Sequence, residues 1–242
     1  MMIACLHSRH RRVVLSLVAL AGLVAVAGLV HGCRRAATPQ YNVLLITMDT
    51  TRFDRLGHNG FEKAVTPGLD ALAASGVAFD NAFSAVPLTL PSHTTMLTGL
   101  YPPEHGIKTN GKNGLAPDVP TLQEILQRRG YATAAFISAN VLAPNYGLPR
   151  GFDVYDGIDK TAWENDPQHL KLIIDYDEQS FPYRRGDQTA DAALKWLTDW
   201  AGEARPGGRG EKPFFTWVHF YDPHLPGHAH EDIFGDYFDH MY

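Results

Sequence analysis

Three segments of the chain carry side chains that could support chemistry on an anion. Asp49 directly follows an apolar run, so its carboxylate can bind a divalent cation at a strand end or cap the next turn. Thr89 precedes Pro91, which can occupy the first turn of a helix running towards Gly99. The amide of Asn110 can donate to a substrate oxygen or shape a turn. Each segment taken alone leaves both roles open.

The predicted position of Thr89 at a helix N-terminus suits two roles. Unpaired backbone N–H groups and the positive end of the helix dipole attract an anion there. A threonine hydroxyl bound to a metal ion at such a place can become a nucleophile. Capping the helix is, however, the commonest role of a threonine at this position.

The elements that position these residues alternate between strands and helices. The predicted strands are 43–47, 77–83, 131–137 and 214–220, and the predicted helices are 66–76, 91–99, 121–129 and 189–201. This alternation predicts an α/β fold with a mostly parallel sheet and helices on both faces. Asp49 and the segment 219–224 both fall at carboxyl ends of strands, where ligands gather in such sheets.

Two expectations concern packing. The continuous apolar run 43–47 is typical of a strand buried in a parallel sheet. The last helix should turn one apolar stripe inward, formed by Ala193, Leu194, Leu197 and Trp200. Five of the 12 histidines lie between His219 and His240, but we do not expect the whole group to form a metal cluster.

Taken jointly, the three segments resemble the sulfatase family of the alkaline phosphatase superfamily. The resemblance runs from about residue 41 to about 224 and includes "TGLYPPEHG", "GYATAAF", "RGFDVYD" and "HFYDPHLP". It implies a metal-dependent hydrolase of sulfuric or phosphoric esters. By the same resemblance His224 and His93, which stands in the family's arginine position, are substrate-binding candidates. Asp49, Thr89 and Asp222 are the implied metal ligands.

The nucleophile position departs from the sulfatase pattern. Sulfatases carry Cys or Ser there, which is oxidised to formylglycine, whereas this chain has Thr89 and no formylglycine is expected. Thr89 and Asn110 instead resemble the nucleotide pyrophosphatase/phosphodiesterase branch, which implies that both are catalytic. The chemistry expected is direct attack by Thr89 on a phosphodiester or phosphonate ester. The alternatives are a membrane-tethered transferase of phosphoryl head groups and a non-catalytic binding protein on the same fold.

The cofactor and partner expectations follow from this chemistry and from the charge. The implied cofactor is a divalent cation, Ca²⁺ or Zn²⁺, with Mg²⁺ or Mn²⁺ also compatible. The substrate would be a small-molecule, glycan or lipid anionic ester. Residues 1–32 hold three of the 21 cationic residues and none of the 26 acidic ones, so the remainder has 18 against 26. Such an acidic body is not expected to bind a nucleic-acid polymer.

The first 33 residues form a separate export segment. Three arginines precede an apolar run from Val13 to Val30, which is typical of a cleaved signal, a lipoprotein signal ending at Cys33 or a membrane anchor. Residues 34–40 form a linker. The arginines place the N-terminus in the cytoplasm, so the body should be extracytoplasmic, in the periplasm or on the cell surface, and tethered to the membrane.

Residues 41–242 are expected to be the N-terminal part of a catalytic domain. The superfamily completes its metal site with an Asp-His or Asp-Asn pair on a much later strand, and Asp239-His240 has no apolar strand before it. The resemblance therefore implies a truncated domain whose remaining metal ligands would follow Tyr242.

Overall fold

A computed structural model describes residues 41–158, 184–202 and 212–224. They belong to one unit, Tyr41–Tyr242. The predicted export segment, the linker and the Asp239-His240 pair lie outside the described residues. Among the residues that are described, no helix has the length and apolar character needed to cross a bilayer.

The architecture is a four-stranded parallel sheet with helices. Its strands are β1 (Val43–Met48), β2 (Ala132–Ile137), β3 (Val154–Asp156) and β4 (Phe214–Phe220). The helices are α1 (Pro67–Ser75), α2 (Thr89–Thr98), α3 (Pro102–His105), α4 (Leu122–Arg128) and α5 (Gly186–Gly202). The strand order is β1-β4-β2-β3 and every neighbouring pair is parallel. The predicted α/β fold with a mostly parallel sheet is confirmed.

Helices cover both faces of the sheet, as predicted. On one face Phe215 and Trp217 of β4 pack with Leu90 and Leu97 of α2 in the main buried cluster. On the other face Val218 packs with residues of β2 and with Ala193 of α5. Alternate side chains of a strand point to opposite faces, so β4 serves both layers. The helix α2 is thereby held against the face of β4, the strand that pairs with β1.

Local sequence signals set several element ends correctly. Thr121 begins α4 through a capping box, in which its hydroxyl accepts from the Glu124 N–H and the Glu124 carboxylate accepts from the Thr121 N–H. Gly99 ends α2 with a φ of 71°, in the left-handed region that glycine adopts at little cost. The predicted strand 214–220 matches β4.

The predicted strand 77–83 is wrong. The segment is irregular, and Val77, Phe79 and Phe83 are 80%, 76% and 89% exposed. Its apolar and β-branched residues favour a strand, but a strand also needs a neighbour, and the described sheet offers it none. The short strand β3 was missed because three residues give too little pattern to recognise.

Two packing expectations also need correction. Leu194 is 60% exposed, because the buried stripe of α5 runs through Thr189, Ala193 and the half-buried Trp196 instead. The strand β1 is not buried throughout. Leu45 packs against the main cluster, whereas Leu44 and Ile46 point to the opposite face and are 48% and 49% exposed.

Candidate active site

Asp49 is held at the carboxyl end of β1 by the neighbouring strand. Its N–H donates to the Phe220 carbonyl over 2.9 Å, which continues the parallel pairing of β1 with β4. The next residue, Thr50, has a φ of 56°, an uncommon conformation for a residue with a side chain. The Thr50 hydroxyl donates to the Pro223 carbonyl over 3.2 Å. These bonds fix the turn that presents the Asp49 carboxylate.

Thr89 is the first residue of α2, and its hydroxyl is directed at Asp49. Thr89 Oγ1 donates to Asp49 Oδ2 over 2.8 Å, and the two residues are 8% and 9% exposed. The helix has no side-chain cap. The capping alternative for Thr89 therefore does not describe this structure, because its hydroxyl is engaged by the carboxylate.

Most of the backbone N–H groups at the N-terminus of α2 are absent or already hydrogen-bonded within the protein. Pro91 has no N–H, the Ser92 N–H donates to the Leu88 carbonyl, and the Leu90 N–H donates to Asn110 Oδ1 over 3.0 Å. The backbone N–H of Thr89 is the first-turn donor that these bonds leave to a ligand. Since Asn110 uses its carbonyl oxygen, its NH₂ group is the end that can donate to an anion.

Two buried histidines adjoin the Asp49–Thr89 pair. His219 Nε2 lies 3.4 Å from Asp49 Oδ2, and its ring is fully buried. His93 Nδ1 lies 2.7 Å from the Thr89 carbonyl oxygen, and the two rings meet edge to face at 4.9 Å. His93 Nε2 and His219 Nδ1 have no hydrogen-bond partner within the described part of the chain. Buried polar atoms of this kind mark a polar interior beside the Thr89 hydroxyl.

The charge state of the centre follows from these contacts. Burial acts to raise the pKa of Asp49, but hydrogen bonds from His219 and Thr89 outweigh it and hold the pKa below its usual value. Burial, with a smaller contribution from His219, lowers the pKa of His93 to about 4. Burial and the Asp49 charge raise the pKa of Tyr221 to about 12. At neutral pH the centre therefore combines an ionised Asp49 with an uncharged His93 and Tyr221.

The residues after β4 lie further along the same edge. The Gly186 N–H at the start of α5 donates to Asp222 Oδ1 over 2.9 Å. The ring of His224 stacks on that of Tyr221 at 4.3 Å. The roles of Asp222 as a metal ligand and of His224 as a substrate contact stay predictions, as does a substrate contact for His93, whose Nδ1 faces its own helix.

A divalent cation fits the centre in part. The Asp49 carboxylate and the Thr89 hydroxyl are oxygen donors of the kind that such cations accept. Within the described ranges no group of three or more His, Cys, Asp or Glu residues is arranged to hold a metal ion. Asp49 and Thr89 stay predicted cation ligands.

The contact of His219 with Asp49 was missed by sequence reasoning. Thr47 pairs with His219, and Trp217 Nε1 donates to Thr47 Oγ1 over 3.0 Å, so all three side chains lie on one face. Asp49 continues that face two residues after Thr47. The contact depends on the register in which β1 pairs with β4, which no local feature of the sequence indicates.

Fold and site together define an α/β protein with an alcohol and a carboxylate paired at the carboxyl edge of a parallel sheet. The chain belongs to the sulfatase family, whose family model matches residues 41–240. This confirms the family that the sequence motifs resembled.

Named relatives are consistent with this assignment. N-acetylgalactosamine-6-sulfatase of Mus musculus is 27% identical over 229 residues, covering 84% of this chain and 44% of that protein. Steryl-sulfatase of Mus musculus is 39% identical over 103 residues, covering 38% of this chain and 16% of that protein. The chain therefore spans less than half the length of these curated relatives.

Solved structures share the fold. The phosphonate monoester hydrolase of Agrobacterium radiobacter is 26% identical, with a TM-score of 0.57 over 77% of this chain and 42% of that one. The structure of Ps i-CgsB has a TM-score of 0.66 at 23% identity, over 84% of this chain and 50% of that one. At that identity the second likeness supports the fold alone.

Proposed function

We propose that the protein is a metal-dependent hydrolase of anionic esters in which Thr89 is the direct nucleophile, with phosphodiesters or phosphonate esters as preferred substrates. The single observation that carries this proposal is the 2.8 Å hydrogen bond from Thr89 Oγ1 to Asp49 Oδ2 at the start of a helix. It places an alcohol beside an ionised carboxylate and beside an N–H group that can receive an anion.

The residue type favours phosphorus over sulfur. Threonine carries a methyl group on Cβ, so it cannot be oxidised to the aldehyde on which sulfatases depend. An alcohol that attacks phosphorus needs no such oxidation. The likeness to a phosphonate monoester hydrolase at 26% identity supports the same direction.

Thr89, Asp49 and Asn110 have different roles in the proposed reaction. Thr89 Oγ1 attacks phosphorus in line, its proton passes towards Asp49 Oδ2, and the leaving oxygen departs with the electron pair of the broken P–O bond. The Thr89 N–H and the Asn110 NH₂ group donate to the non-bridging oxygens. Water then attacks phosphorus, and the Thr89 oxygen leaves and regains a proton. A divalent cation bound through Asp49 and Thr89 would lower the pKa of the alcohol and offset charge on the transferring group.

The same residues would serve a transferase if an alcohol replaced water in the second step. Product analysis separates the two, because a transferase forms a new ester with an added alcohol. A binding protein without catalysis is disfavoured by the direction of the Thr89 hydroxyl, which a mere binding role does not require.

Location and substrate class belong to the same proposal. We propose an extracytoplasmic protein, tethered through residues 1–33, that acts on a small-molecule, glycan or lipid ester. The relative named N-acetylgalactosamine-6-sulfatase supports a sugar ester among these. Mass measurement of the mature N-terminus tests the tether, because a cleaved signal, a lipidated Cys33 and an intact segment differ in mass.

The test uses the full-length protein with four 4-nitrophenyl substrates: the sulfate, the phosphate, the phosphate diester and a phenylphosphonate ester. We expect the highest kcat/KM on the diester or the phosphonate. Thr89→Ala should reduce it by at least about 1,000-fold, because the nucleophile is gone. Thr89→Ser keeps the hydroxyl and should retain measurable turnover. Best turnover of the sulfate ester, with full activity in Thr89→Ala, would show that the nucleophile assignment is wrong.

A further inference from the structure

The turn 221–224 directly follows β4 and borders the buried centre. The ring of its first residue stacks on that of His219, whose Nε2 lies 3.4 Å from Asp49 Oδ2. We propose that Gly186, the first residue of α5, is a positioning residue that holds the Asp222 carboxylate and thereby the whole turn beside the centre. This inference rests on the proposed function, since it concerns how that site meets its substrate.

The contact between Gly186 and Asp222 is the first argument. The Gly186 N–H donates to Asp222 Oδ1 over 2.9 Å, and Gly186 is buried. It begins a helix of 17 residues. The first N–H groups of a helix have no partner within it, and the positive end of the helix dipole attracts a carboxylate. The start of α5 therefore stabilises the Asp222 carboxylate in this position.

The lack of a side chain at Gly186 is the second argument. A Cβ atom there would lie 2.5 Å from Asp222 Oδ2 and 2.9 Å from Asp222 Cγ. These distances are too short for non-bonded atoms, so a side chain at this position would push the carboxylate away. Glycine allows the backbone of α5 to approach the carboxylate this closely. At Gly202, the last residue of the same helix, a Cβ atom would meet no other atom within 4 Å.

The attachment of the turn to the centre is the third argument. The His224 N–H donates to the Tyr221 carbonyl over 2.9 Å, and the two rings stack at 4.3 Å. The Pro223 carbonyl accepts from the hydroxyl of Thr50, the residue after Asp49, over 3.2 Å. The turn is thus closed on itself and bonded to the segment that carries the buried carboxylate. A shift of its second residue should therefore also move the ring of His224, the predicted substrate contact.

Gly186→Ala tests this contact. The atoms nearest to the added methyl group belong to the end of one side chain, which can move without unfolding the protein. NMR of the full-length protein with ¹³C-labelled histidine reports the ring of His224, and His224→Gln assigns its signal. We expect this signal to shift in Gly186→Ala, because its ring moves relative to the stacked ring of Tyr221. Gly202→Ala, at the other end of the same helix, should leave the signal in place.

Steady-state kinetics measure the consequence for the site. On the 4-nitrophenyl ester that the wild type hydrolyses best, Gly186→Ala should raise KM about tenfold and change kcat by less than about threefold. The reason for this split is that a substrate contact is displaced while Thr89 keeps its place. Gly202→Ala should retain both wild-type values. An unchanged KM, or an unshifted His224 signal, in Gly186→Ala would overturn the positioning role.

The double variant Gly186→Ala/Asp222→Ala shows whether Gly186 acts through Asp222. Without the carboxylate the added methyl group has room, so the double variant should match Asp222→Ala in the His224 signal and in unfolding temperature. The same match is expected even if Gly186→Ala alone unfolds. A further change in the double variant would contradict the proposal. Failure of the wild type to hydrolyse any 4-nitrophenyl ester would count against the proposed function, and the NMR comparison would then decide on Gly186.

Discussion

The two regions that flank the start of α2 are held together in different ways. On one side Asp49, Thr89 and His219 are buried and hydrogen-bonded to one another. On the other side the loop 106–113 presents Lys108 and Lys112 to solvent. A charge in the interior acts at low dielectric on a fixed target, whereas a solvated lysine is screened by water and salt. The buried centre is thus suited to the proposed chemistry, whereas the charges of the loop are weakened by solvent.

This difference predicts that losing the buried carboxylate of Asp49 lowers turnover far more than losing an exposed carboxylate. Asp49→Asn keeps the size of the side chain but removes its charge and its capacity to hold a cation. We expect kcat/KM to fall by more than about 100-fold, beyond the 10- to 100-fold that loss of an outer-shell partner costs. Steady-state kinetics at saturating metal measures this effect.

Asp54→Asn is the matched control for that experiment. Asp54 is an exposed aspartate close by in sequence, and it pairs with Arg52 over 2.7 Å. Such a surface pair contributes little to stability, so the control should retain wild-type turnover. Near-normal activity in Asp49→Asn would remove the contrast between the two regions.

Substitution of His219 tests whether the buried centre also depends on the orientation of the Asp49 carboxylate. Its Nε2 faces the Asp49 oxygen that accepts from Thr89, which makes it a positioning residue in our interpretation. His219→Leu should weaken metal affinity and kcat/KM by roughly 10- to 100-fold. His219→Gln places an amide nitrogen near the Nε2 position and should recover part of both.

Metal titration separates positioning from a purely structural role of His219. If the two variants unfold at the same temperature, yet only His219→Leu loses metal affinity, the ring acts through Asp49. Equal metal affinity in both variants would show that His219 only fills space between Trp217 and Tyr221, the rings on either side of it.

The same contrast explains which features of the fold and of the site could be predicted from the sequence alone. Apolar runs and end signals such as the Thr121 capping box are local, so the fold class and most element ends followed from them. The meeting of Asp49 with Thr89 depends on packing between residues 40 positions apart. The contact of Asp49 with His219 depends on the pairing of β1 with β4, because a shift of one residue would turn His219 to the other face. Neither contact has a local signal.

The strand predicted at 77–83 was wrong because strand formation also depends on contacts between distant residues. Its residues favour a strand locally, but whether a strand forms is decided by a partner strand elsewhere in the molecule. The pocket lined by residues 106–109, 112 and 113 was missed for a similar reason. Lys108 and Lys112 are two ordinary surface residues in the sequence, and only the turn through Gly111, with a φ of 74°, brings them to one pocket.

His105 connects the two regions and should give the smallest effect, one of stability at acid pH. Its Nδ1 accepts from the Ile107 N–H, so the ring is neutral and its Nε2 carries the proton donated to Thr95. Burial holds the pKa of His105 below its usual value of 6.5. The unfolded chain thus takes up the proton at a higher pH than the folded one. The contribution of His105 is therefore complete above about pH 6.5 and is lost as the pH falls below it.

Urea unfolding between pH 8 and pH 5 measures this contribution. Protonated Nδ1 cannot accept from Ile107, and we expect a loss of about 1 kcal/mol, the usual value of one hydrogen bond. His105→Asn offers a carbonyl oxygen that accepts at any of these pH values, so its free energy of unfolding should fall less steeply towards pH 5. An identical pH profile in both proteins would mean that the attachment of the loop 106–113 to α2 does not depend on the His105 ring. The loop would then be independent of the buried centre.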